Sequence, residues 1–182
     1  MNDNYIKICF NKILKAESVY DVAIKSPTQH APKMTAKMHN KIFIKREDLQ
    51  PVFSFKLRGA YNKISKLKNV KHVVAASAGN HAQGVAMTCK KLKIQSSIIM
   101  PSTTPSIKVN AVKKLGSKVI LFGDTYDDAY KFASRFAIDN KYEFIHPYDD
   151  LDVIAGQGTI GIELLDQMTQ HPDYVFIPVG GG

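Results

Sequence analysis

The chain has 182 residues, 45% hydrophobic and 23% charged, an ordinary globular composition that can bury a real core and argues against disorder. Its 25 Lys and Arg outnumber 16 Asp and Glu, a net charge of +9, but the positive residues are scattered along helical stretches such as KLKNVKH and KKLKIQ without interleaved aromatics, which favours solvated helix faces over a nucleic-acid surface. The opening MNDNYIKICF carries an acid early, at Asp3, and no stretch reaches the ~18 apolar residues of a membrane span, so neither a secretory leader nor a spanning helix is expected, and a soluble cytoplasmic protein is.

In chain order, residues 4–15 set Tyr5, Ile8, Cys9 and Ile13 on one helical stripe. IFIK at 42–45 reads as a short strand. SFKLRGAYNKISKL at 54–67 reads as a helix, with Ser54 as candidate N-cap and Ala60, Tyr61, Ile64 and Leu67 on one face. HVVAAS at 72–77 is a strand, followed by a turn at Ala78, Gly79 and Asn80 and then a helix through HAQGVAMTCKKL. SSIIMP at 96–101 is a strand, Pro105 to Leu115 a helix, and KVILFG at 118–123 a strand. Tyr126 to Asn140 is helical, with Ala129, Phe132, Ala133 and Phe136 facing inward. EFIH at 143–146 is a strand, Val153 to Met168 a helix after a glycine-broken start, and YVFIPV at 174–179 a last strand. Strand and helix alternating at this spacing call for an α/β fold of parallel β-α-β units with right-handed crossovers. In such sheets function gathers at the carboxyl ends of the strands.

The two cysteines, Cys9 and Cys89, have neither metal nor disulfide spacing and are expected to be buried reduced thiols. No metal site is expected. The chain stops on Gly180, Gly181 and Gly182 directly after a predicted strand, which suggests a fragment or a truncated reading frame.

Three loops could carry chemistry. In FSFKLRGA, Lys56 reads either as one more solvated helix lysine or as a Schiff-base lysine. The second role needs an amine whose pKa is lowered by desolvation or positive neighbours, and Arg58 and the apolar flanks Phe55 and Leu57 could contribute. In SAGNHAQG at 77–84, the helix amides and dipole suit a carboxylate or phosphate, and Asn80 adds a donor and acceptors; a plain strand-to-helix turn fits equally well. His81 there could be a base, a cap or a core ring. In PVGGG at 178–182, bare amides could cup an anion, or the segment could be a loose terminus.

Taken together and in this order, KREDLQPVFSFKLRGAYN at 45–62, SAGNHAQGVA at 77–86 and VIAGQGTIGIELL at 153–165 resemble the pyridoxal-phosphate enzymes of the tryptophan-synthase β type, fold type II. Within them the chain looks most like the threonine/serine dehydratase branch, and there like the biosynthetic threonine dehydratases, over about Ala23 to Gly182. The resemblance implies a two-lobed, three-layer α/β/α fold with parallel sheets, truncated here. Residues 1–50 would begin the large lobe, 51–150 would form the small parallel-sheet lobe, and 151–182 would return to the large lobe, incomplete at the phosphate-binding glycine loop. It implies Lys56 as the cofactor-binding and catalytic residue, Phe55 near the cofactor ring and Asn80 on the ring's phenolic oxygen. Ser77, Ala78, Gly79, Asn80 and His81 would receive the substrate carboxylate, and Gly180, Gly181 and Gly182 would begin the phosphate loop. The implied activity is dehydration and deamination of L-threonine to 2-oxobutanoate and ammonia, with pyridoxal 5'-phosphate as cofactor. The full-length enzyme is expected to be a homo-oligomer without nucleic-acid or membrane partners. A related serine dehydratase or racemase, and a non-catalytic remnant, are the alternatives. The racemases resembled here carry serine where this chain has Ala78, and alanine cannot exchange a proton. The isolated chain is expected to be inactive or poorly folded unless a second polypeptide completes it.

Overall fold

The run His72–Ala76 is buried almost throughout, and the rest of the molecule is arranged on its two faces. The computed structural model describes residues 3–178. In chain order these are α1 (Asp3–Leu14), a 3-10 turn at Glu17–Asp21, β1 (Thr28–His30), α2 (Pro32–Met38), β2 (Phe43–Lys45), a second 3-10 turn at Glu47–Leu49 and α3 (Lys56–Ile64). There follow β3 (His72–Ala76), α4 (Asn80–Leu92), β4 (Gln95–Met100), α5 (Ser106–Lys114), β5 (Lys118–Leu121), α6 (Tyr126–Asp139), β6 (Glu143–Phe144) and α7 (Leu151–Gln167).

Strands β3 to β6 form one parallel sheet in the order β5-β4-β3-β6, with Val73 opposite Ser96 and Glu143, and Ile98 opposite Val119. Parallel strands covered on both sides need apolar residues on both faces. Val73 and Ala75 pack with Ile98 and Met100 against Ala82, Val85, Ala86 and Cys89 of α4 and Val109 and Val112 of α5. Val74, Ala76 and Ile99 face the other way, onto Ala129, Ala133 and Ala137 of α6. The result is the parallel α/β fold that the alternation of elements predicts, in the α/β/α layers that the family resemblance implies. Helix α7 lies off the sheet, against α3 and α1.

Several sequence expectations are corrected. The segment from Tyr174 to Pro178 is not a strand: it has no partner strand among the described residues, and Tyr174, Phe176 and Ile177 are largely exposed. Strand β6 ends at Phe144 because the backbone then turns, with His146 Nδ1 accepting the amides of Tyr148 and Asp149 at 3.3 and 2.7 Å. Helix α7 starts earlier than expected, at Leu151, because the Asp150 carboxylate accepts the amides of Asp152 and Val153. Its glycines lie inside a continuous helix. Ser54 is not the N-cap of α3; its hydroxyl accepts the Lys56 amide two residues on, at 3.2 Å. Cys89 is buried, whereas Cys9 is only partly so, because α1 buries no residue fully. The strand expected at 42–45 is β2, whereas its antiparallel partner β1 and the helix α2 between them have no counterpart in the sequence reading, since a three-residue strand and a seven-residue helix are too short to show a period.

Candidate functional site

Helices α3 and α4 begin side by side. Gly84 permits this: a methyl group there would lie 3.0 Å from the carbonyl carbon and oxygen of Lys56, tighter than side chains normally approach backbone. Lys56, the first residue of α3, is half-buried, and its Nζ donates to the carbonyl oxygen of Pro147 at 2.9 Å. The Phe55 ring centroid lies 5.4 Å from the same nitrogen. Burial lowers the Lys56 pKa from its ordinary value, because the ammonium form loses hydration. Arg58 does not contribute to that shift, contrary to expectation; its charge is committed elsewhere.

The 77–81 turn connects β3 to α4. Ser77 is buried, and its hydroxyl accepts the Gly79 amide at 3.1 Å, which closes the turn locally. Ala78 is partly buried, Asn80 is exposed, and the space around a Cβ at Gly79 is open. No side chain caps α4, so its first amides lack both helical and side-chain acceptors. His81 turns the other way. It is 3% exposed, and its Nε2 lies 3.0 Å from the Ile145 carbonyl. A carbonyl only accepts, so Nε2 carries the proton and Nδ1 is the bare lone pair. Burial pushes the His81 pKa down to about 4, and the charges of Lys56 and His146 push the same way, against the Ile145 bond. His146 is lowered too, chiefly by burial.

Two residues beyond Lys56 lies a feature that sequence reasoning missed. Arg58 is fully buried and binds two carboxylates. Its Nε and Nη2 donate to Glu47 at 2.8 Å each, and its Nη1 and Nη2 donate to Glu163 at 2.6 and 3.1 Å. Thr159 and the Ile24 carbonyl accept from it as well. Lys45 and Tyr20 add bonds to Glu163 at 2.6 and 2.8 Å. Burial alone would lower the Arg58 pKa; the bonds to Glu47 and Glu163 raise it instead. Burial alone would raise Glu163; Arg58, Lys45 and Tyr20 hold it below the usual carboxylate range. The cluster ties the segment before α3 to α7. Its traces in the sequence are two lone charges in apolar stretches, Arg58 in LRGAY and Glu163 in GIELL.

Lys56 and the 77–81 turn are therefore neighbours through the α3–α4 contact, while Gly180, Gly181 and Gly182 lie outside the described residues. Two clefts among the described residues, of about 230 and 410 Å³, lie elsewhere and include neither Lys56 nor the turn. No cluster of metal-ligating side chains occurs among the described residues.

The family model described as pyridoxal-phosphate-dependent enzyme matches residues 19–182. A tomato protein named threonine dehydratase 1 biosynthetic, chloroplastic, is 49% identical over 170 residues, 92% of this chain and 28% of the relative. The biosynthetic L-threonine dehydratase of Bacillus subtilis is 49% identical over 177 residues, 93% of this chain and 42% of the relative. Among solved structures, the processed form of tomato threonine deaminase isoform 2 superposes with a TM-score of 0.87 at 45% identity, covering 93% of this chain and 47% of that one. Maize serine racemase superposes at 0.82 and 32% identity, over 86% and 49%. The chain thus spans less than half the length of these relatives.

Proposed function

The chain belongs to the pyridoxal-phosphate-dependent enzyme family, and from that premise we propose that this protein converts L-threonine to 2-oxobutanoate and ammonia, the entry step of isoleucine biosynthesis, with Lys56 as the residue that holds the cofactor. One observation carries the reading: at the start of α3, an amine with a depressed pKa rests on a single neutral acceptor, the Pro147 carbonyl. Such an amine can leave its resting place without breaking an ion pair, and its neutral form is the nucleophile. The threonine dehydratases that share about half of their aligned residues with this chain supply the substrate.

The residues present fit the cofactor. Lys56 Nζ would hold it covalently, Phe55 would offer an apolar wall, and the exposed Asn80 would bond a ring oxygen. The open side of Gly79 and the free amides of α4 suit the substrate carboxylate, with Ser77 keeping the turn closed. The role of Gly180, Gly181 and Gly182 as the start of a phosphate loop rests on sequence. When bound, pyridoxal phosphate supplies an electron sink for the pair released at the substrate α-carbon. With its amine free, Lys56 Nζ would take the α-proton and hold it as an ammonium beside the Pro147 carbonyl. That ammonium would return its proton to the β-hydroxyl as the bond to the β-carbon breaks, so the hydroxyl would leave as water. The enamine set free tautomerises and takes up one water on hydrolysis, so the net products are 2-oxobutanoate and ammonia. Ala78 favours elimination over racemisation, since alanine offers no proton to the opposite face.

The test uses the full-length protein with pyridoxal phosphate, supplied with L-threonine and, separately, L-serine, scoring keto acid against D-amino acid. The expected result is 2-oxobutanoate from threonine, abolished in Lys56→Ala together with the Schiff-base absorbance band. Retention of that band and of turnover by Lys56→Ala would end the reading. A homo-oligomer resident in the cytoplasm completes the proposal, checked by sedimentation and fractionation. Among the described residues no helix is long and apolar enough to cross a membrane, and the tomato relative is chloroplastic by name.

A further inference from the structure

The backbone that follows β6 receives one hydrogen bond from each of the two helices that meet at the candidate site. From α3, Lys56 Nζ donates to the Pro147 carbonyl at 2.9 Å; from α4, His81 Nε2 donates to the Ile145 carbonyl at 3.0 Å. Ile145 is fully buried and its amide still reaches the Val74 carbonyl of β3 at 2.8 Å, so the strap leaves the sheet at this residue. Beyond it, His146 Nδ1 collects the amides of Tyr148 and Asp149, which folds the strap back. His81 itself is 3% exposed, and its Nδ1 has no partner among the described residues. Asn80, its neighbour in the chain, is exposed, so the turn divides its side chains: Asn80 outward and His81 into the interior. A ring whose one polar bond goes to buried backbone is built as a brace. An unsatisfied Ile145 carbonyl in its place would be costly, and the strap would shift to find another donor.

We propose that His81 is a positioning residue: it pins the Ile145–Pro147 strap, and through the Pro147 carbonyl it fixes where the Lys56 amine rests whenever that amine is free. The inference rests on the reading of Lys56 as the cofactor lysine, and it reassigns His81 from the substrate to the lysine. Lys56 and His146 are the charged and titratable groups coupled to the ring, and both oppose a second positive charge there. The ring therefore works as a neutral donor.

The experiment compares His81→Gln, His81→Asn and His81→Leu in the full-length protein. A Gln amide reaches the position of Nε2 and keeps the donor; an Asn amide reaches only that of Nδ1. The first readout uses cofactor-free protein: the pH dependence of Lys56 reductive methylation by formaldehyde and cyanoborohydride, followed by mass spectrometry. Wild type and His81→Gln should titrate Lys56 alike, below an ordinary lysine, while Asn and Leu move it upward as the amine loses its fixed, half-buried seat. In the second readout, with cofactor and threonine, kcat in the Asn and Leu variants should fall roughly tenfold or more with KM within about twofold, and Gln should restore it. A raised KM with unchanged kcat and unchanged Lys56 titration would return His81 to the substrate and overturn the proposal. So would loss of thermal stability alone, or a Gln variant no better than Leu. Failure of the underlying reading shows separately, in Lys56→Ala that still binds cofactor and turns over.

Discussion

Lys56 and Arg58 stand two residues apart on the first turn of α3, and the fold treats their charges in opposite ways. Arg58 is sealed: two carboxylates, a hydroxyl and a carbonyl take its donors, and nothing of it is exposed. Lys56 has one neutral acceptor at 2.9 Å and no carboxylate partner among the ion pairs of the described residues. A guanidinium is always charged and suits a permanent, forked pairing, whereas an ammonium on a flexible stem can be discharged by burial. A cation meant to hold an assembly together is given counter-charges. An amine meant to react is given a carbonyl, which orients it without stabilising the ammonium enough to keep it protonated.

The contrast predicts opposite mutational signatures. Lys56→Ala should lower threonine turnover by about 10⁴-fold or more while stability to urea changes by less than about 1 kcal/mol, since only one neutral-acceptor hydrogen bond is lost. Comparable losses of stability and turnover would erase the distinction. Arg58→Met should do the reverse in kind, removing about 3 kcal/mol of stability by leaving the buried Glu163 with Lys45 as its remaining cation and the half-buried Glu47 with none among the described residues. Adding Glu163→Leu to Arg58→Met sharpens the point: if uncompensated charge is the cause, the double variant recovers part of the loss, and if packing is the cause it loses more.

Most of the fold could be read from the sequence because the sheet region is periodic. The strand at 72–77, the helix after it and the alternation that follows each bury a whole face, and a face of apolar residues leaves a pattern. The N-terminal segment did not read as clearly. Its strands are three residues long, and the bonds of Ser26 to Glu47 and of Arg58 to Glu163 join side chains 21 and 105 residues apart, which no local window contains. At the site, Lys56 and the 77–81 turn were legible as motifs. The acceptor at Pro147 was not, since a backbone carbonyl has no residue type to recognise, and the direction of His81 was not, since a turn residue can point either way until the packing decides.

Acid should separate the two regions by pH. His81 has a folded pKa of about 4 against an ordinary value near 6.5, so between these limits the unfolded chain binds a proton that the folded one refuses. Stability is therefore fully present above pH 6.5 and is lost as pH falls toward 4, by roughly 3 kcal/mol at pH 4, with His146 adding in the same direction. Glu163, Asp150 and Asp152 are depressed carboxylates, whose contribution is present above the unfolded carboxylate range and is lost only as pH falls through and below it. Urea denaturation of wild type at pH 7 and pH 5 should show the first loss, and His81→Gln should remove most of it. A pH 5 loss of the same size in His81→Gln would assign it to other groups.

The smallest effect tests whether the two regions are mechanically independent. Helix α7 crosses α3 at Gly156, where a methyl group would meet the Arg58 carbonyl oxygen at 2.5 Å and the Gly59 Cα at 2.7 Å. Both are backbone atoms, so Gly156→Ala must push the helices apart, at a cost of about 2 kcal/mol. Helix α7 carries Glu163 and Thr159 to Arg58 and also takes the Asn62 amide on the Asp152 carbonyl at 2.6 Å, so the strain falls on the arginine side. Lys56 reaches its acceptor on the other side, between α4 and the strap. The expected outcome is lower stability with kcat within about threefold of wild type. If kcat falls tenfold, the sealed arginine and the free lysine share one mechanical unit, and the network around Arg58 must then count among the structures that aim the reacting amine.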